Sequence, residues 1–172
     1  MDEKWRPYLS LLKDIALGVA LWLLITTFVG EARQIPSSSM EPTIQIGDRV
    51  WTDKLLLRFS PITRGDIVVF DPPPSEASDY PYIKRVIGLP GETVEVKGGK
   101  VLINGQPLTE PYIAEPPHYV VKLTQIPPGH YYVLGDNRNA SNDSHRWGLL
   151  KREQISARAV FRFWPFSRFG KL

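Results

Sequence analysis

The run IALGVALWLLITTFVG, from Ile15 to Gly30, carries no charged residue and shows no polar stripe at helical spacing. A helix apolar on every face has no side to turn toward water, so it belongs either deep in a core or in lipid. A spanning helix needs roughly 17–25 apolar residues. Leu9, Leu11 and Leu12 extend the run to that length if Lys13 lays its stem along the helix and keeps its ammonium in the head groups. A cleavable leader is the competing reading, but the run exceeds the usual apolar core of such leaders, and no small-x-small site closes it before Glu31 and Arg33. A membrane anchor is the better reading. Lys4, Arg6 and Lys13 precede the span and Arg33 follows it closely, so the excess of positive charge puts the N-terminus in the cytosol and the remaining chain across the membrane. The expected organisation is a short cytoplasmic segment 1–13, an anchor 14–31 and a globular part 32–172.

That globular part reads as β. Beyond Arg33 the apolar residues cluster in short runs bounded by glycine and proline: 66–70, 83–87, 92–97, 100–103, 130–134 and 157–163. Gly98-Gly99 between VEVK and KVLI is a two-residue hairpin loop, and Asn104-Gly105 gives another. The segments 72–81 and 107–128 are rich in proline and read as a surface loop and an irregular excursion. The fold class expected is mainly antiparallel β, hung from one N-terminal helix. The chain has no cysteine, which removes disulfides, thiolate metal sites and a cysteine nucleophile together.

Chemistry concentrates in three places. Ile35-Pro36-Ser37-Ser38-Ser39-Met40-Glu41-Pro42-Thr43 sets three consecutive serines between prolines and apolar residues, a held loop where a bare serine run would be a linker. A serine hydroxyl needs a base before it attacks a carbonyl. His145, two residues after Asp143, offers a conventional triad with a serine. His118 and His130 lie beside prolines and read as surface residues. Lys84 is the other base: on a strand it shares a face with Tyr82 and Val86, and desolvation there lowers an ammonium's pKa. Spacing alone leaves Lys84 and His145 both open, as it leaves the choice of serine. The third place, Gly135–His145, is dense in Asn, Asp and Ser and reads as a tight self-bonded loop; its acids and glycine do not fit a calcium loop.

In order along the chain, IPSSSMEPTI at 35–44, RGDIVVF at 64–70, KRVIGLPGE at 84–92 and GDNRNASNDS at 135–144 resemble type I signal peptidase, the membrane-bound family that removes signal peptides from exported proteins. The resemblance covers most of the chain after the anchor, and PSSSMEPT with DSHRWG is most similar to cyanobacterial and thylakoid-type members. It implies an antiparallel β fold with Ser39 as nucleophile and Lys84 as general base. It further implies an oxyanion hole from Ser37 and the Ser39 backbone N–H, with Ser141 and Asp143 in support. Ile35, Met40, Ile44, Tyr82 and Ile83 fall where the family lines small apolar pockets, which implies cleavage after Ala-x-Ala-type sequences. No cofactor or metal is implied. The implied partners are the signal peptides of exported preproteins, the lipid bilayer and a nearby export translocon, in a plasma or thylakoid membrane. Two positions depart from the pattern: Ser38 stands where many members have glycine, and His145 where many have arginine. The short span between the third and fourth motifs implies a minimal second subdomain.

The C-terminal RAVFRFWPFSRFGKL interleaves aromatic and basic residues. Nucleic acid binding uses such a mix, but beside an anchor it reads better as a strand ending at the membrane interface, where aromatic and basic residues are both at home.

Overall fold

A computed structural model describes residues 6–172 apart from 75, 77 and 79. Helix α1 (Arg6–Leu24) continues through one wider π turn, Ile25–Val29, and passes without a linker into strand β1 (Gly30–Gln34). The stretch long and apolar enough to cross a membrane is Ser10–Val29, none of it buried against the rest of the chain. It begins and ends earlier than the expected 14–31, because Gly30 and Glu31 already pair with β2 (Arg49–Asp53). Gly30 has to be glycine: a Cβ there would lie 2.2 Å from the Thr52 carbonyl oxygen.

Ten further strands complete the body: β3 (Ile67–Phe70), β4 (Tyr82–Gly88), β5 (Thr93–Lys97), β6 (Lys100–Ile103), β7 (Gln106–Pro107), β8 (Val121–Gln125), β9 (His130–Leu134), β10 (Leu150–Lys151), β11 (Ile155–Trp164) and β12 (Gly170–Lys171). They form two antiparallel sheets. The larger runs β1-β2-β11-β3-β4-β9-β10 with β12 on β11, and the smaller runs β7-β6-β5-β8. The apolar runs all become strands because each alternates or saturates its faces with β-branched and aromatic residues. Ile67–Phe70 is buried at every position, as a central strand covered on both faces should be. Gly98-Gly99 and Asn104-Gly105 close their hairpins with positive φ at both residues of each pair, the twist-matched turn.

The segment 107–128 is more ordered than its prolines suggest, since Val121–Gln125 pairs with β5. Its Lys122, Leu123 and Gln125 are exposed, so an edge strand shows little of the alternation that reveals a half-buried one. Three apolar clusters result. One lies under β3, β4 and β9, with Phe70, Val86 and Val133. One fills the smaller sheet, with Val94, Val101 and Ile126. The third gathers Ile35, Met40 and Ile44 against Val50, Ile67 and Ala159.

Candidate active site

The serine loop follows β1 directly. The Ile35 N–H donates to the Asp48 carbonyl and the Gly47 N–H to the Ile35 carbonyl, while Met40 and Ile44 are fully buried beneath. The apolar residues that made this loop look held thus anchor it from below. Its serines face a cleft of about 700 Å³ whose lining includes Gln34, Pro36, Tyr80, Tyr82, Ile83 and Asn142.

Lys84, on the adjacent face of β4, is 4% exposed, and its Nζ lies 2.9 Å from Ser39 Oγ and 2.9 Å from the Ile83 carbonyl oxygen. The Tyr82 ring, on the same strand face, has its centroid 5.4 Å from Nζ. Burial lowers the Lys84 pKa from 10.5 to about 8, although the charges of Asp143 and Asp136 pull the other way. Removing an ammonium from water outweighs two carboxylates that are not in direct contact with it. Ser37 Oγ is 3.3 Å from Ser39 Oγ.

The loop after β9 braces this pair from behind. The Asn137 N–H donates to the Ser39 carbonyl at 3.1 Å, and Asn137 Nδ2 to the Ser38 carbonyl at 3.2 Å. Asp143 caps the short helix α3 (Ser144–Trp147) and accepts from the Gly135 N–H at 2.9 Å, which folds the Asn/Asp/Ser segment back on itself. The Ser141 hydroxyl is buried and has no hydrogen-bond partner among the described residues. Arg85, on the opposite face of β4, grips Asp136 through Nε at 2.7 Å and Nη2 at 2.6 Å. Thr43 Oγ1 donates to the same carboxylate at 2.6 Å, so one buried pair ties the serine loop, the lysine strand and the Gly135–His145 loop together. Asp136 was not among the expected site residues. Taken singly, Arg85 and Asp136 each read as a surface charge, and the spacing does not announce their pairing.

His145 is engaged elsewhere. Nδ1 meets Asp143 Oδ1 at 2.7 Å, Nε2 accepts from Arg146 Nε at 3.3 Å, and the ring stacks on Tyr119 with centroids 4.0 Å apart. Of the expected pocket residues, Tyr82 and Ile83 line the cleft. Ile35 lines a smaller hollow of about 200 Å³ beside it, together with Tyr82 and Ile83. Met40 and Ile44 do not reach either surface; they pack in the cluster below. Tyr80 and Pro81, from a segment that reads as plain surface loop, border both hollows.

Residues 8–164 match the family described as signal peptidase, peptidase S26. The chain belongs to the signal peptidase family. It is 52% identical over 171 residues to a signal peptidase I of Leptolyngbya laminosa, covering 96% of this chain and 84% of that one. It is 40% identical over 159 residues to thylakoidal processing peptidase 1 of Arabidopsis thaliana, covering 88% of this chain and 47% of the plant protein. A crystal structure of a signal peptidase I from Enterococcus faecalis superposes with a TM-score of 0.51 at 33% identity, covering 59% of this chain and 98% of that one. As a signal peptidase I, the chain is a serine endopeptidase, with an N-terminal apolar helix that fits a membrane location.

Proposed function

We propose that Ser39 and Lys84 form the catalytic dyad of a membrane-anchored peptidase that cuts signal peptides after Ala-x-Ala-type sequences. The supporting observation is the 2.9 Å separation of Ser39 Oγ and Lys84 Nζ at the wall of a cleft. Among Ser37, Ser38 and Ser39, Ser39 is the serine within hydrogen-bond reach of the lysine. The neutral amine takes the Ser39 proton as Oγ attacks the carbonyl, and the ammonium so formed hands that proton to the departing amine. The Ser37 hydroxyl and the Ser39 N–H donate to the oxyanion of the tetrahedral intermediate. Water, deprotonated by the same amine, then releases the acyl group. Asp143 and Asp136 keep the Gly135–His145 loop against the dyad, and Ser141, buried with a free hydroxyl, is the group able to hold Lys84 once its bond to Ser39 is spent.

Ile35, Tyr82 and Ile83 leave narrow apolar space beside the dyad, which favours alanine-sized side chains. The charge distribution along the chain supports a cytoplasmic N-terminus with the dyad across the membrane, where preproteins leave the export translocon.

The rate of cleavage of an Ala-x-Ala preprotein by the full chain in lipid is expected to rise with pH and to level off above about 8, as the amine loses its proton. His145→Ala is expected to keep this profile, with rates within about tenfold of the wild type, well short of the 10²–10⁴ contributed by a general base. Activity lost in His145→Ala but kept in Lys84→Ala would replace the dyad by a Ser–His–Asp triad.

A further inference from the structure

Away from the active-site cleft, a second hollow of about 520 Å³ opens where the apolar helix meets the sheet. Thr27, Lys54, Arg58, Arg152 and Ser156 line it, Leu57 forms an apolar wall, and no carboxylate is among the lining residues. Lys54 Nζ donates to the Thr26 carbonyl at 2.8 Å and lies 3.7 Å from Glu31, so its charge is partly answered. Arg58 and Arg152 have no carboxylate partner among the described residues. Arg58 lies over the Phe28 ring at 5.6 Å, and Arg152 donates to the Leu57 carbonyl at 3.1 Å and the Ile155 carbonyl at 3.4 Å. Those two carbonyls aim the Arg152 guanidinium and still leave it N–H groups to offer.

The hollow lies at a defined depth. Thr27 and Phe28 belong to the last turn of the Ser10–Val29 span, which on the membrane reading proposed above puts the three cations at the head groups of the leaflet facing the catalytic body. Leu55, Leu56 and Phe59 stand exposed on the same short helix, α2 (Leu56–Phe59), and its approach, where acyl chains would meet them.

From these features we infer that the hollow binds the phosphate head group of one anionic lipid, with Arg58 and Arg152 as its principal donors. Guanidinium forks match phosphate oxygens in pairs, and unpaired arginines at the bilayer surface attract anionic lipid. A free phosphate in water offers the same oxygens but nothing for the flanking apolar residues, so the lipid is the better occupant.

The test uses the full chain in micelles doped with equal phosphatidylglycerol and phosphatidylcholine, with retained lipid counted by native mass spectrometry. One retained phosphatidylglycerol is expected, and Arg58→Gln, which removes an exposed side chain that makes no hydrogen bond among the described residues, is expected to weaken its retention about fivefold. Arg58→Lys should restore most of it, and Lys100→Gln, on the distant β5–β6 hairpin, should change nothing. Equal retention in wild type and Arg58→Gln overturns the inference. Displacement of the lipid by millimolar inorganic phosphate overturns the lipid assignment in favour of a small-anion pocket. Release of the wild-type chain from vesicles by alkaline carbonate would instead overturn the membrane reading itself.

Discussion

Lys84→Arg is expected to slow preprotein cleavage by about three to four orders of magnitude, the upper range for losing a general base. The substitution keeps the positive charge beside Ser39, but a guanidinium does not give up its proton in a protein. Ser39→Ala should fall to a similar floor, and the double variant no further, because the two groups act in one step. Activity in Lys84→Arg comparable to the wild type would show that the lysine serves as a charge and not as a base.

A stability measurement on Lys84→Met gives an independent reading of the same group. In the unfolded chain the lysine holds its proton up to the ordinary 10.5; in the folded one, to about 8. The unfolded state therefore binds more protons between those values, and stability through this group rises with pH across that window. Below it, burying the ammonium costs about 3 kcal/mol, since a tenfold change in proton affinity corresponds to about 1.4 kcal/mol. Lys84→Met should accordingly be inactive yet unfold about 1–3 kcal/mol harder at pH 7, once the two lost hydrogen bonds are set against the relief. A lower melting temperature for the methionine variant would mean that those bonds outweigh the desolvation.

Gly135→Ala is the second large effect. A Cβ at this position would lie 2.3 Å from the Ser39 carbonyl oxygen, 2.3 Å from Ser141 Oγ and 2.6 Å from Ser141 Cβ. Backbone on one side and a buried side chain on the other leave no cheap way to yield. The expected cost is about 1–3 kcal/mol of stability, as for other overpacked sites. Cleavage should fall about 100-fold, because displacing the nucleophile by an ångström is enough to do so. Thermal unfolding and kcat/KM measured on the same preparation separate the two; an unchanged kcat/KM would show that the serine loop and the Gly135–His145 loop move independently.

The strands were readable because their apolar runs are short and rich in β-branched residues, and because two of the turns between them, Gly98-Gly99 and Asn104-Gly105, are of a type fixed by two residues. The edge strand Val121–Gln125 was not, because three of its five side chains face solvent and prolines surround it. At the site, a held serine loop and a desolvated Lys84 were visible from local context. The choice of Ser39 over its neighbours depends on β4 lying against a loop 45 residues earlier, a separation over which periodicity says nothing. Met40 and Ile44, which the family resemblance implied as pocket residues, are fully buried and pack in the cluster beneath the serine loop. Asp136 and Arg85 were missed because each, alone, reads as a surface charge; only the pairing makes them a buried brace.

The absence of a linker between Val29 and Gly30 fixes more than orientation. Backbone N–H groups of Lys54 and Leu55 both donate to the Val29 carbonyl, clamping the end of the helix to the next hairpin. From there the five residues of β1 rise about 3.3 Å each, so Gln34 at the cleft stands on the order of 15 Å from the helix end along a pleated, paired strand. On the membrane and dyad reading proposed above, that distance sets the height at which the site would meet a preprotein leaving the lipid.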